Sequence, residues 1–196
     1  YNVVTANGNA QIDTAQSKFG GASLLLDGIG DYIGTDVNSH FDLGLSVDAT
    51  ADLWARFNSL PPDGTRDVMV GAGLIDSDGW DFSIANSGGT IQLTLSTFVG
   101  ISSRGKFHAD TSITTGTWYH LAVERDGDTV NFYVDGTKQT TVEDTAWGTQ
   151  AGPTLFRIGG GSGGPYMDGW LDEIRVTRGR AQYQGNSFTP ETAEYS

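Results

Sequence analysis

The chain has 196 residues, with 28 glycines and no cysteine. Asp and Glu number 24 against 11 Lys and Arg, a net charge of −13. A chain this acidic repels phosphate backbones and anionic lipid surfaces, which excludes nucleic acid as a partner. No apolar run approaches the ~18 residues of a membrane span, so no membrane insertion is expected. The missing cysteines remove disulfides, a thiol nucleophile and thiolate metal sites.

In chain order the expected elements are short strands. Ser23–Leu26 and Tyr32–Thr35 come first, followed by a long strand in which Val47, Ala49, Ala51, Leu53, Ala55 and Phe57 alternate with Asp48, Thr50, Asp52, Trp54, Arg56 and Asn58. Such alternation gives a strand one apolar face. Val68–Gly71 and Trp80–Ile84 read as strands too, and Ile91, Leu93 and Leu95 alternate with polar partners. Leu121 and Val123 define the next strand. Asp126-Gly127 then turns the chain into Val130, Phe132 and Val134, and Asp135-Gly136 opens a further hairpin. Leu155–Ile158 and Trp170–Thr177 complete the set. No window carries a helical apolar stripe; single helical turns are expected at most near Thr145–Thr149 and Ala181–Gly185. About a dozen strands with glycine-rich turns and no composition break predict one all-β domain over residues 1–196, an antiparallel two-sheet jelly roll.

Several segments together resemble the laminin G-like branch of the concanavalin A-like lectin/glucanase superfamily. They are Gly116-Thr117-Trp118-Tyr119-His120-Leu121-Ala122-Val123-Glu124-Arg125-Asp126-Gly127 with Val130–Gly136, the opening Phe19–Gly28 with Asp31-Tyr32-Ile33, and the closing Asp168–Val176. The tail through Arg178, Ala181, Tyr183, Phe188 and Pro190 is similar to laminin G-like domains of bacteriophage virion proteins. The resemblance implies glycan or protein recognition, often calcium-assisted. It places the chain outside the cell, on a virion or as a secreted or cell-surface adhesin, with a host-surface polysaccharide and neighbouring fibre subunits as partners.

In an extended Trp170–Val176, Asp172 shares a face with Trp170, Ile174 and Val176, and a carboxylate among apolar neighbours needs a counter-charge. Two readings follow. In one, Asp27, Asp31 and Asp172 hold a structural Ca²⁺, the relatives placing the opening turn near the closing strand. In the other, Asp172 pairs with an arginine such as Arg178 while Asp27 and Asp31 shape a turn. Asp76-Ser77-Asp78-Gly79 starts like a calcium loop but lacks its ending and reads better as a β-turn.

Sugar binding needs flat apolar faces with amides, carboxylates or guanidinium groups around them. Trp54 and Arg56, opposite the apolar row of the long strand, face either a concave sheet or a second core layer. Trp147 and Tyr166 lie in or beside glycine-rich loops, and Trp118 and Trp170 are assigned to the core. Gly159–Gly164 reads as a surface loop without the Lys-Ser/Thr of a phosphate cradle. The family-16 glycosidase strand motif Glu-x-Asp-x-x-Glu is absent, as is a Gly-x-Ser-x-Gly elbow. The reading is a noncatalytic carbohydrate-recognition domain. A self-assembling fibre domain is the alternative, and a hydrolase with an unrecognised active site comes third.

Overall fold

The computed structural model describes residues 3–36, 47–73, 78–99, 102–145, 155–161 and 166–195, and only the backbone at 36 and 102–104. Fifteen strands occur among them: β1 Val4–Asn7, β2 Gln11–Asp13, β3 Ser23–Asp27, β4 Tyr32–Asp36, β5 Ala49–Phe57, β6 Arg66–Ala72, β7 Gly79–Ser87, β8 Thr90–Val99, β9 Ser102–Asp110, β10 Trp118–Asp126, β11 Thr129–Val134, β12 Thr137–Lys138, β13 Val142–Thr145, β14 Leu155–Ile158 and β15 Asp168–Arg178. They form an eight-stranded sheet in the order β1-β4-β14-β6-β7-β8-β9-β13 and a seven-stranded sheet in the order β12-β11-β10-β5-β15-β3-β2. Every pairing within the two sheets is antiparallel.

Alternation explains how the sheets close on each other. Leu53, Ala55 and Phe57 of β5, Leu121 and Val123 of β10, and Phe132 of β11 meet Met69, Val70, Phe82, Ile84, Leu93, Leu95 and Phe107 of the larger sheet in one buried core. Each fully buried Leu or Phe side chain contributes roughly 1.5–3 kcal/mol relative to exposure, so this shared core dominates the stability of the sandwich. At its edge the chain approaches itself closely. A Cβ on Gly159 would lie 2.4 Å from a Leu26 methyl, at a φ of +88° that glycine alone adopts without strain.

Beyond β15 the chain folds back over the outer face of the seven-stranded sheet as an irregular segment. Ala181–Gly185 is bends and a turn, not the expected helical turn. Four carboxylates of the sheet fasten this segment or the elements beneath it. Glu124 is buried completely and accepts from the backbone N–H groups of Tyr183, Gln184 and Gly185, from Tyr133 Oη at 3.0 Å and from Asn131 Nδ2 at 3.4 Å. Glu173 accepts from the Tyr195 N–H at 2.6 Å. Asp52, also fully buried, accepts from Tyr195 Oη at 2.6 Å and pairs with Arg175 at 3.1 Å. Asp135 accepts from the His120 N–H at 2.9 Å. Burial followed by the nearby carboxylates pushes the phenol pKa values of Tyr133, Tyr183 and Tyr195 upward, so these tyrosines stay neutral.

One register shift changes the reading of β15. Asp172 stands opposite Trp54 and Arg175 opposite Asp52, so three residues of β15 span two of β5, and Glu173 has φ +48°. This bulge reverses the alternation. Asp172 therefore shares the outer face with Trp170 and Arg175, whereas Ile174 and Val176 pack against the core.

Candidate functional site

The outer face of the eight-stranded sheet carries a continuous row of register partners. Gly34 of β4 pairs with Arg157 of β14, Arg157 with Gly71 of β6, Gly71 with Asp81 of β7, Asp81 with Ser96 of β8, and Ser96 with Lys106 of β9. A parallel row runs Val68, Ser83, Thr94, His108. Asp81, Ser83, Thr94, Ser96, Lys106 and His108 have the opposite parity to Phe82, Leu95 and Phe107, which face the core, so these polar side chains point away from it.

Charges along the row are placed by their neighbours. Arg66 grips Asp81 with both terminal nitrogens, Nη1 to Oδ1 at 3.2 Å and Nη2 to Oδ2 at 3.0 Å, and Nη1 also donates to Ser96 Oγ at 3.2 Å. Ser83 Oγ donates to Asp81 Oδ1 at 2.7 Å. Burial raises the Asp81 pKa, against the opposing pull of Arg66 and Ser83. Farther along, His108 Nδ1 lies 2.9 Å from Asp144 Oδ2, with Lys106 Nζ at 3.6 Å from the same oxygen. Two buried polar atoms, Thr94 Oγ1 and Arg157 Nε, have no hydrogen-bond partner.

Aromatic rings stand at the β4 end. Tyr32 and Tyr166 stack with centroids 6.5 Å apart and planes 19° apart, and the Arg157 guanidinium lies 4.3 Å from the Tyr32 centroid. Both rings need glycine beside them. A Cβ on Gly34 would come within 3.2 Å of Tyr32, and one on Gly160 within 2.7 Å of Tyr166. A hollow of about 370 Å³ adjoins Tyr32, lined also by Thr5, Asn7, Gly34 and Thr35 among others. Tyr166 was expected from sequence, but Tyr32 and Arg157 were missed. Their signal is the Tyr32-x-Gly34 spacing opposite Arg157, which is readable only once the strands are paired.

The remaining sequence expectations fall elsewhere. Trp147 lies outside the described residues, as do Asp76 and Ser77. Trp54 and Arg56 are on the outer face of the other sheet, so they do not join Tyr166. Trp54 is only 6% exposed. The Arg56 guanidinium lies 5.1 Å from the centroid of the Trp170 ring. Trp118 and Trp170 are half-buried on that outer face and lie outside the apolar core cluster, which corrects their assignment to the core.

The structure does not bring Asp27, Asp31 and Asp172 together at one point. Asp31 is fully buried, and its oxygens accept from the Asn9 and Asp27 backbone N–H groups. Asp27 stands opposite Asp168 in the β3–β15 ladder, with Asp172 four residues farther along β15. The Asp172 carboxylate accepts from the Lys18, Phe19 and Glu173 N–H groups at 2.8, 3.1 and 3.0 Å. Because the bulge removes Asp172 from the apolar face, backbone amides meet the need for which a cation was invoked. Among the described residues, no group of three or more His, Asp or Glu side chains is arranged to hold a metal ion.

A laminin G family model for the concanavalin A-like lectin/glucanases superfamily matches residues 27–181, and the chain belongs to that superfamily. No curated protein matches it. Among solved structures, the chain is similar to domain 4 of AbnA, an extracellular family-43 arabinanase from Geobacillus stearothermophilus solved with arabinotriose. Identity is 19%, TM-score 0.64, and the match covers 92% of this chain and 84% of that one. It is also similar to the receptor-binding domain of botulinum neurotoxin D, at 14% identity and TM-score 0.64 over 93% of this chain and 45% of that one. A third match is a botulinum neurotoxin type C structure whose cell entry is described as dependent on two ganglioside molecules, at 12% identity and TM-score 0.61 over 89% and 42%. The chain spans less than half of these neurotoxin chains. At such identities the likeness shows the jelly-roll fold.

Proposed function

We propose that this is a noncatalytic glycan-recognition domain that reads a saccharide across the outer face of its eight-stranded sheet. The observation that carries the reading is the Tyr32–Tyr166 pair beside Arg157, with Lys106 farther along the same face; Asp81 and Ser96 between them are buried and tied to Arg66, and shape the face from beneath. Flat rings take the apolar faces of sugar rings, and fixed charged and hydroxyl groups take the hydroxyls. The arabinotriose complex of the arabinanase domain and the dependence of neurotoxin type C cell entry on two ganglioside molecules, both in proteins with this fold, support the ligand class.

Noncatalytic binding is supported by how the carboxylates are used. Asp81 is tied to Arg66 and Ser83, and Asp52 and Glu124 are buried beneath the C-terminal segment. The extracellular setting, on a virion or a cell surface, belongs to the same proposal and rests on the tail segment's resemblance. A glycan array probed with the wild type, Tyr32→Ala and Tyr166→Ala tests it. Binding to a related set of sugars, weakened at least tenfold in both variants, is expected; silence of the wild type across the array refutes it.

Contact with neighbouring fibre subunits is a second reading, favoured by exposed Val3, Val4, Ile12 and Ile29 near the edge strands β1 and β2. Sedimentation showing a monomer at 200 μM counts against it.

A further inference from the structure

The outer face of the seven-stranded sheet, opposite the site just described, holds a second arrangement of rings and charges. Trp118 of β10, Arg56 of β5 and Trp170 of β15 are register partners in one cross-strand row, and His120, Trp54 and Asp172 form the next. Above Trp54 lies the loop that Asp172 fastens through the Lys18 and Phe19 amides. Phe19 meets the Trp54 ring edge-on, with centroids 5.8 Å apart at 90°, and the Lys18 ammonium sits 3.8 Å from the Trp54 centroid. The C-terminal segment forms the facing wall. Between them is a cleft of about 510 Å³ lined by Lys18, Phe19, Trp54, Trp118, Asp135 and Glu191, together with Pro190 and its neighbouring threonines.

Three properties define what fits. The volume lies within the range of roughly 300–1,000 Å³ usual for small-molecule sites. The walls are held before any ligand arrives: Asp172 fixes the Lys18–Phe19 loop, while Glu173 and Glu124 fix the C-terminal segment. Little ordering cost is left for binding. The charged groups are one ammonium and two exposed carboxylates, of which Asp135 uses Oδ1 on the His120 amide and Glu191 sits 3.9 Å from Arg175, and Thr189 and Thr192 add hydroxyls. Each carboxylate keeps lone pairs for hydroxyl donors. The indole Nε1 of Trp54 is buried and donates to no protein atom.

We propose that this cleft is a second carbohydrate subsite that takes a neutral sugar residue between Trp118, Phe19 and Pro190. The proposal rests on the glycan reading above and extends it to the opposite sheet. A cationic ligand is disfavoured because Lys18 already occupies the Trp54 π-face. An anionic sugar meets two carboxylates in the cleft and a net charge of −13 on the protein. Neutral hydroxyls match the mixture of acceptors and a donor. Two subsites on opposite faces allow one domain to bridge two chains of a polysaccharide, with a gain in avidity over either alone.

The test uses the indole N–H cross-peaks in ¹H–¹⁵N spectra of the full chain, titrated with cellotriose, arabinotriose and trigalacturonate. The Trp54 and Trp118 signals are expected to move with at least one neutral trisaccharide and to stay still with trigalacturonate. The same titration in Tyr166→Ala is expected to give an unchanged midpoint, whereas Trp118→Ala weakens it at least tenfold. Trp118→Phe, which keeps a ring on the wall, is expected to lose no more than about threefold. Stationary Trp54 and Trp118 signals with both neutral sugars at 20 mM overturn the proposal. So does movement with trigalacturonate alone, or an unchanged midpoint in Trp118→Ala. Sugar binding lost in Tyr166→Ala but untouched in Trp118→Ala leaves the first site standing and removes only the second.

Discussion

Replacing Glu124 by glutamine changes one atom and tests how the C-terminal segment is held. The buried carboxylate accepts five hydrogen bonds: Oε2 from the Tyr183 and Gln184 amides, Oε1 from the Gly185 amide, Tyr133 Oη and Asn131 Nδ2. A glutamine must turn an NH₂ toward one of these two sets of donors. Placing it at the Oε1 position is cheaper, because the Tyr133 hydroxyl can rotate to accept and the Asn131 amide can flip. The Gly185 N–H is then left buried without an acceptor, and the bonds that remain lose their charge. The sum is about 2–3 kcal/mol. Glu124→Ala removes all five acceptor contacts and costs about 3–5 kcal/mol. For a chain of this size the Glu124→Gln cost lowers Tm by about 4–12 °C. Urea unfolding followed by tryptophan fluorescence gives the free energy, and limited proteolysis shows whether cleavage moves to the segment after Arg180. A Glu124→Gln protein within 0.5 kcal/mol of wild type, with unchanged proteolysis, refutes the reasoning.

Other expectations follow from single groups. Asp67 has its pKa raised to about 6, first by burial and then by the neighbouring Asp168 charge. Its ordinary value is near 3.8, so between those pH values the native state binds more protons than the unfolded one, and the ionised group opposes folding above pH 6. Asp67→Asn should therefore raise Tm at pH 7.5 and leave it unchanged at pH 3.5; an equal shift at both values contradicts the assignment. Asp172→Ala frees the Lys18 and Phe19 amides and should cost about 2–4 kcal/mol, with faster hydrogen exchange at those two amides. Exchange rates equal to wild type speak against the fastening role. Because Asp31 and Asp172 already use backbone amides, melting temperatures in 2 mM calcium and in EDTA should agree within 1 °C. A clear rise with calcium would place a metal at the Asp27–Asp31 turn and restore half of the site expected from sequence.

The strands with clean alternation were readable because a buried sheet face imposes a period of two, and β5, β8, β10 and β11 follow it. Strands β1, β2 and β13 were missed because they are short, exposed and at sheet edges, where packing imposes no pattern, whereas β12 is the return arm of the hairpin expected at Asp135-Gly136. In β9, Gly105, Phe107 and Ala109 do alternate with Lys106, His108 and Asp110, so a signal was there to be used. The bulge at Glu173 was not readable, since register is set by the partner strand, and one extra residue was enough to invert the environment of Asp172. Trp118 shows the opposite failure: it shares parity with polar His120, which already pointed outward, and the general tendency of tryptophan toward the core was given more weight than the pattern. Trp170 has the sequence parity of Ile174 and Val176, so the same bulge that inverts Asp172 moves it to the outer face. Tyr32 and Tyr166 meet only through tertiary pairing.

The central claim is that the outer face of the eight-stranded sheet binds a glycan, and amide chemical-shift mapping with the strongest array ligand tests it most directly. The account predicts that perturbed amides cluster at 32–34, 157–161 and 166. A saturating ligand that leaves all of these amides unmoved would contradict it.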